Sequence, residues 1–405
     1  MSQRQLPRWS ELRPLLRVEV PNLDPVERRL SRAHTIADLR AIARRRTPRA
    51  VFDYTDGAAE QEVSLRRARR AFREIEFRPR VLRDVSAVDT TREMLGQRAA
   101  LPFAFAPTGF TRMMHHEGER AVVRVAARTG VPFGLSTMGT TSIEDVAAAG
   151  PGARKWFQLY IWKDRGVGED LVRRAQDNGF EALIVTVDTA VAGARMRDIR
   201  NGLTIPPALT LRTVLDGAAH PAWWLNLLTT EPLRYASLSH WEGTLADLVN
   251  TVFDPAVTID DLEWLRSLWP GPLIIKGIQN PADARLVVDH GADAVIVSTH
   301  GGRQLDRAPA PLELLPAVLD STGDDAEVYL DTGILSGADI VAALALGARG
   351  CLVGRAFLYG LMAGGERGVV RATEILSSEI TRTLQLLGVP AVDELTGEHA
   401  TLRTR

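Results

Sequence analysis

The segment PLIIKGIQNPADARLVVDHGADAVIVSTHGGRQLD, residues 272–306, carries one full repeat of the fold. PLIIK, 272–276, is an apolar run of strand length, and the amphipathic stretch PADARLVVDHGA follows it with a glycine where a helix C-cap needs one. DAVIVS, 293–298, is a second apolar run. A buried strand, an amphipathic helix and a second buried strand make a βαβ unit with parallel strands. The same alternation extends in both directions. Before this segment lie LPFAFA at 101–106, PFGL at 132–135, KWFQLY at 155–160 and ALIVTVD at 182–188; after it come EVYLD at 327–331 and GCLVG at 350–354. Eight such units predict a parallel TIM (β/α)8 barrel with helices outside. A doubly wound open sheet is the competing α/β arrangement, but no G-x-G-x-x-G turn follows the first strand.

Two stretches exceed a normal βα repeat. In residues 1–100 the first 30 or so read as an irregular Pro- and Arg-rich arm. A helix should begin at Thr35, where Thr35 and Asp38 form a capping-box pair ahead of Ile36, Leu39, Ile42 and Ala43, and should end at Pro48. Residues 49–73 also have helical spacing. From about 200 to 258 the chain is Trp-rich and broken by Pro206, Pro207, Pro221 and Pro232, which predicts an insertion on the top face rather than a domain. The expected organisation is an N-terminal extension over 1–100, a barrel over 101–375 including that insertion, and a C-terminal helix and tail over 376–405.

Composition narrows the function. The 405 residues are 45% hydrophobic and 24% charged, as in an ordinary folded protein with a large core. A single cysteine, Cys351, excludes an internal disulfide and a cysteine metal cluster, and points to a reducing compartment. No apolar run reaches the roughly 18 residues of a membrane span, and the N-terminus lacks a signal-peptide core, so a cytoplasmic protein is expected. Residues 1–83 hold 20 Arg against 11 Asp and Glu. Because these arginines alternate with helix-spaced apolar residues, a solvated helix face explains them better than nucleic-acid binding. Lysine is rare, at Lys155, Lys163 and Lys276 only, which singles out any lysine at a strand end.

Barrel active sites form at the C-terminal ends of the strands. Here those ends are polar: Pro107 and Thr108, Ser136, Gln158 and Tyr160, Thr186 and Asp188, Lys276, Ser298 with His300 and Arg303, Asp331 with Gly333, and Gly354 with Arg355. The glycine turns LDTGILSG and LVGRAF follow the last two strands, where barrels cradle phosphate on backbone N–H groups; tight turns alone would also use glycine. STHGGRQLD sets His300 and Arg303 past an apolar strand, where packing needs neither. Asp188 can orient the imidazole, and Arg195 adds a second guanidinium. Two arginines beside a histidine suit a carboxylic-acid substrate, clamped by the arginines while the histidine takes a proton. Lys276 is open to two roles: a Schiff-base nucleophile or a fixed cation beside an electron-rich cofactor.

FDYTDGAAEQ, APTGF, LSTMGTTSIEDV, WFQLYIWKDR, TVDTAVAGARMRDIRNG, IIKGI, STHGGRQLD and LDTGILSGADIVAALALGARGCLVGR occur in order between about residues 34 and 390. Together they resemble the FMN-dependent L-2-hydroxy acid oxidases and dehydrogenases, and within them the quinone- or cytochrome-linked L-lactate dehydrogenases of actinobacteria. The resemblance implies His300 as the base, Asp188 as the carboxylate stabilising its imidazolium, and Arg195 and Arg303 as the substrate clamp. It implies Tyr54 and Tyr160 as phenols on the substrate and Lys276 as the cation at the flavin. Pro107, Thr108, Gly109, Ser136, Gln158, Thr186 and Ser298 would line the isoalloxazine, Asp331 the ribityl chain, and Gly333, Gly354 and Arg355 the phosphate. No metal is implied.

Three departures from the family pattern stand out. Thr299 replaces the usual Asn before the histidine; Thr332 replaces a glycine and Leu335 an arginine, which shifts the expected phosphate contact toward Arg355. At Gly109 and Met138 the pocket differs from the Ala and Trp of glycolate oxidase, and Gly109 is expected to leave open space.

The expected function is FMN-dependent oxidation of an L-2-hydroxy acid, L-lactate first, with electrons passed to a quinone or respiratory acceptor. The alternatives are a mandelate-type or other oxidase producing hydrogen peroxide, a Schiff-base aldolase on the same barrel, and a binding protein using the basic arm. A homo-oligomer, such as a tetramer, is expected. So is peripheral contact with the inner face of the membrane through Trp223, Trp224, Leu225, Leu227 and Leu228, flanked by Arg234 and His240.

Overall fold

The computed structural model describes residues 6–15, 23–202, 216, 218–238 and 253–403. Eight parallel strands close into one barrel. They are β1 (Phe103–Phe105), β2 (Phe133–Ser136), β3 (Lys155–Leu159), β4 (Ala182–Thr186), β5 (Leu273–Ile278), β6 (Ala294–Val297), β7 (Glu327–Leu330) and β8 (Gly350–Val353). Each strand pairs with its sequence neighbour, and β8 returns to β1 with Cys351 opposite Phe103 and Val353 opposite Phe105. This is the barrel expected from the apolar runs.

Side chains alternate across a strand, so one parity faces the interior. Trp156, Ala182, Ile184, Ile274, Ala294, Ile296, Tyr329 and Leu352 fill it, and Met94 from the hairpin Arg92–Met94/Gln97–Ala99 plugs the N-terminal end. Continuing that parity past Trp156, Ile184, Ile274, Ile296 and Tyr329 gives Gln158, Thr186, Lys276, Ser298 and Asp331. The polar strand ends are therefore the top layer of the barrel interior, aimed inward by the geometry that buries the apolar layers beneath.

The described part of the N-terminal extension holds a helix where an irregular arm was expected. Pro25–Leu30 is a helix, started by the Asp24 carboxylate accepting Val26 N–H at 2.8 Å, with Pro25 at the first helical position. Helix α1 (Ile36–Arg46) carries the expected cap: Thr35 accepts from Asp38 N–H and the Asp38 carboxylate from Thr35 N–H. Residues 49–73 divide into α2 (Arg49–Asp56) and α3 (Val63–Arg73), where one helix was expected. Gly57 is extended, Glu62 adopts a left-handed conformation with φ 60°, and tertiary contacts to the barrel hold the loop between them.

The described part of the insertion includes helix α4 (Pro221–Leu228) and a turn at Ala236–Leu238. It lies over the barrel mouth: Trp223 Nε1 donates to Met113 O at 2.9 Å, and Tyr235 packs edge-on to Phe110 with centroids 4.5 Å apart. Pro206, Pro207 and His240 lie outside the described residues. Helix α5 (Arg355–Leu387) starts at the end of β8, kinks at Gly364 and Gly365, and continues past residue 375. Beyond it Ala400–Leu402 pairs antiparallel with Ile75–Phe77, clasping the C-terminal tail to the extension.

Candidate active site

At the mouth, β2, β3 and β4 present a hydrogen-bonded row. Ser136 Oγ donates to Gln158 Oε1, and Gln158 Nε2 donates to Thr186 Oγ1, each at 2.9 Å. The row is buried, with Ser136 at the cavity wall and Gln158 and Thr186 behind it, so the bonds fix the one side chain of the three that reaches the cavity. Across from it, Lys276 Nζ lies 3.2 Å from Ser298 Oγ and 3.3 Å from Asp331 Oδ2. The amine is thus held by an ion pair and a hydroxyl at the cavity wall, an arrangement that favours the fixed-cation reading.

His300 follows β6 on a single turn. Its φ of 54° is left-handed, a costly conformation for a side-chain-bearing residue, and neighbouring hydrogen bonds hold it there. Ser298 Oγ accepts from His300 N–H at 2.9 Å, and Thr332 Oγ1 accepts from Gly301 N–H at 3.0 Å and Thr299 N–H at 3.2 Å. Thr332 Oγ1 donates in turn to Asp331 Oδ1 at 2.7 Å. Thr299 and Thr332 are thus neighbours, and the two departures from the family pattern form one local unit.

His300 Nδ1 meets Asp188 Oδ1 at 3.0 Å, leaving Nε2 as the other ring nitrogen. Burial lowers the His300 pKa below the ordinary histidine value, and the Asp188 charge only partly opposes this. Burial alone would raise Asp188, but His300 and Lys276 outweigh it and hold the carboxyl below its usual range. The pair rests as neutral imidazole and carboxylate, the state a general base needs. Asp188 is itself fixed from behind: Gly277, at φ 109°, runs so close that a Cβ there would lie 2.7 Å from the Asp188 Cβ.

Arg195 and Arg303 flank one ring. Their guanidinium carbons lie 5.2 and 4.8 Å from the Tyr54 centroid, a double cation–π arrangement that brings two cations to one point. Arg303 also donates to the carbonyls of Tyr54 and Gly57. Burial, and then repulsion from Arg195, lowers the Arg303 pKa to about 10, so it remains a cation at neutral pH. Arg195 Nε is 2.9 Å from Asp198 Oδ2. Tyr160 is buried beside Phe253, centroids 5.4 Å apart, and burial raises its phenol pKa, keeping it protonated.

Past β7 and β8 the chain turns on Gly333, at φ 96°, and Gly354. Arg355 Nε donates to Thr55 O at 2.9 Å and Nη2 to Gly57 O at 2.7 Å, so much of its guanidinium is committed to the C-terminal end of α2. Arg69 of α3 bonds Gly333 O and, at 2.8 Å, Asp339 Oδ2. It brings a guanidinium from another element to the turn where Leu335 replaces an arginine.

One cavity of about 1200 Å³ joins these groups. Tyr54, Pro107, Thr108, Gly109, Ser136, Tyr160, Arg195, Lys276, His300, Arg303, Asp331, Gly333, Gly354 and Arg355 line it; Gln158, Thr186, Asp188 and Ser298 stand one contact behind. Gly109 does not open the wall as expected: a Cβ there would lie 3.0 Å from the Met138 Cβ, so Met138 occupies that side. The sequence reading missed Arg69, Asp198, Tyr235, Phe253 and Gln304. Gln304 bridges Asp188 O, Val191 O and Gly193 N–H, holding the loop that carries Asp188; its place in the GGRQ run was the available signal.

The sequence matches FMN-dependent dehydrogenase over residues 43–402. The chain belongs to that family. It is 59% identical over 98% of its length to a protein of Mycobacterium tuberculosis named "Putative L-lactate dehydrogenase", covering 96% of that protein. It is 43% identical over 87% of its length to an L-lactate dehydrogenase of Caulobacter vibrioides, covering 93% of it. The crystal structure of the monotopic membrane protein (S)-mandelate dehydrogenase superposes with a TM-score of 0.88 at 37% identity, covering 92% of this chain and 100% of that one.

The residues fit the family's FMN. The cavity exceeds the roughly 300–1,000 Å³ of a single small-molecule site, leaving room for a cofactor and a substrate together. Ser136, held by the Gln158–Thr186 pair behind it, and Thr108 offer hydroxyl partners for a flat heterocycle, Lys276 a cation at its edge, and the turns at Gly333 and Gly354 an approach for its phosphate.

Proposed function

We propose that this protein oxidises L-lactate to pyruvate, through the groups that the family resemblance implies. The observation that carries the reading is the His300–Asp188 pair opening into the same cavity as Arg195, Arg303 and Lys276. The two guanidiniums bind the substrate carboxylate and set the α-carbon toward His300. Nε2 of His300 takes one proton from the substrate, and Asp188 stabilises the imidazolium that results. Tyr54 and Tyr160 donate to the substrate oxygens. Lys276 would stand as a cation at the cofactor's edge, and FMN, when bound, would accept the two electrons and the second hydrogen that leave the substrate. Lactate is favoured because relatives named for it match nearly the whole chain at 59% and 43% identity.

A mandelate-type substrate is the second reading, supported by Ala192 and the rings of Phe110 and Tyr235 in the cavity wall. The physiological acceptor in this proposal is a membrane quinone, reached by peripheral contact through α4. Among the described residues no helix is long and apolar enough to cross a membrane. The contact surface differs from the sequence expectation: Trp223 is buried on Met113, whereas Leu225 and Leu228 are 63% and 73% exposed.

The test is anaerobic reduction followed at about 450 nm, where oxidised flavins absorb. L-lactate should bleach the flavin and D-lactate should not, and His300→Ala should slow bleaching by about 10²–10⁴-fold with FMN retained. Wild-type rates in that variant would refute the assignment of the base.

A further inference from the structure

A second cavity, of about 40 Å³, lies outside the barrel mouth. Its walls come from helix Pro25–Leu30, the end of α1, the chain after β1, helix α4 and the kink in α5. Arg29, Arg46, Arg112, His115 and His116 line it, and no carboxylate does among the described residues. The exposed guanidinium of Arg46 has no hydrogen-bond or ion-pair partner among them, and His116 Nδ1 is buried without one.

The nearby acids face elsewhere or are only partial counter-charges. Glu231 lies 3.7 Å from Arg112 but is 66% exposed, and Glu117 lies 3.6 Å from His115 while also accepting Glu366 N–H. Arg29 donates through Nε to Ala363 O and Arg112 through Nη2 to Glu231 O, leaving further N–H groups on each. Burial first, and then His116, Arg46 and Arg29, push His115 down to about 3, so its imidazole is neutral and the positive charge around the cavity is that of Arg29, Arg46 and Arg112.

Cations gathered around a small cavity repel one another unless an anion joins them. Forked guanidinium and imidazole N–H donors match a tetrahedral oxyanion, and the space is too small for a nucleotide or flavin. We propose that this pocket binds a phosphate-type oxyanion, free or as the headgroup of an anionic phospholipid, and that the anion ties α4 to the barrel. Ala222, Trp223, Asn226 and Leu227 of α4 form one wall, and the exposed Leu225 and Leu228 lie on the same helix. The inference does not depend on which hydroxy acid is oxidised.

The experiment uses the full chain loaded with FMN, with flavin absorbance monitored so that effects at the cofactor site are recognised. Thermal midpoints are measured in inorganic phosphate and in chloride of equal ionic strength, for wild type, Arg46→Gln and Arg46→Gln/His116→Gln. At about a hundredfold excess over its dissociation constant, phosphate should raise the wild-type midpoint by about 3 °C over chloride, and the double variant should lose that shift. Arg46 is exposed, so the single variant keeps the test available should the double variant not fold. Co-sedimentation with phosphatidylglycerol and phosphatidylcholine vesicles separates the sources. Phosphatidylglycerol binding that both variants lose supports the headgroup, and a phosphate shift without vesicle binding supports the free ion. An equal shift in wild type and variants overturns the proposal, as does the absence of both a phosphate shift and a phosphatidylglycerol preference.

Discussion

Replacing Thr332 by valine keeps its shape and removes its hydroxyl, which donates to Asp331 and accepts from the N–H groups of Thr299 and Gly301. Thr332 is 7% exposed, so those partners cannot turn to bulk water. Each buried polar group left unpaired costs about 1–3 kcal/mol, and allowing for relaxation the loss should be about 2–4 kcal/mol. For a chain of this size, about 3 kcal/mol lowers a thermal midpoint by about 3–4 °C. Thr332→Gly loses the same hydrogen bonds, but Thr332 sits at φ 73°, and a glycine relieves about 1–2 kcal/mol of left-handed strain. The midpoints should therefore fall in the order wild type, glycine, valine. Both variants should also bleach flavin more slowly with L-lactate, by about tenfold for about 1.4 kcal/mol of lost positioning, because the turn carrying His300 loses its brace. Thermal unfolding of the FMN-loaded enzyme and stopped-flow reduction measure the two effects. A valine variant as stable and as fast as wild type would show that Thr332 does not brace the base.

Loss of activity in acid should begin below the ordinary histidine range, since burial depresses the His300 pKa and the rate falls as pH drops through that depressed value. Asp188→Asn removes the charge that opposes this shift, so the acid limb of kcat/KM should move to still lower pH while the plateau drops; a limb that moves upward would contradict the pairing. Arg195→Lys and Arg303→Lys keep charge but lose the planar fork, and each should raise KM for lactate, with Arg303→Lys costing more because its guanidinium also holds Tyr54 and Gly57 carbonyls. Wild-type kinetics in both variants would place the substrate anion elsewhere. Leu225→Ser/Leu228→Ser should reduce vesicle co-sedimentation several-fold with soluble-acceptor turnover unchanged, whereas Trp223→Ser should destabilise the fold, as expected for a buried ring. Undiminished vesicle binding in the leucine variant would remove α4 as the contact.

The barrel was legible because strands buried on both faces read as continuous apolar runs, and the inward parity of Ile184, Ile274 and Ile296 extends to the polar residues after them. The division between α2 and α3 was missed although Gly57 marks the end of α2, because Asp53 to Val63 carries no proline and the end of α2 is held by contacts from Arg303 and Arg355, far away in sequence. Arg69 was hidden among Arg66, Arg67, Arg70 and Arg73 of the same helix, none of which bonds Gly333 as it does. In α4 the apolar cluster was visible but not its orientation, which depends on a carbonyl at Met113.

The grip of Arg303 and Arg355 on the C-terminal end of α2 has a consequence for biosynthesis. Tyr54 and Arg303 are 249 positions apart, and Thr55 and Arg355 are 300. At about 5–20 residues per second, Arg355 leaves the ribosome some 15–60 s after Thr55. During that interval the amphipathic helices of the extension have emerged without the surface that covers them, and β1 has no β8 to close against. Chaperone occupancy should accordingly be highest on nascent chains stalled before residue 350, and the substrate clamp should be among the last features to form.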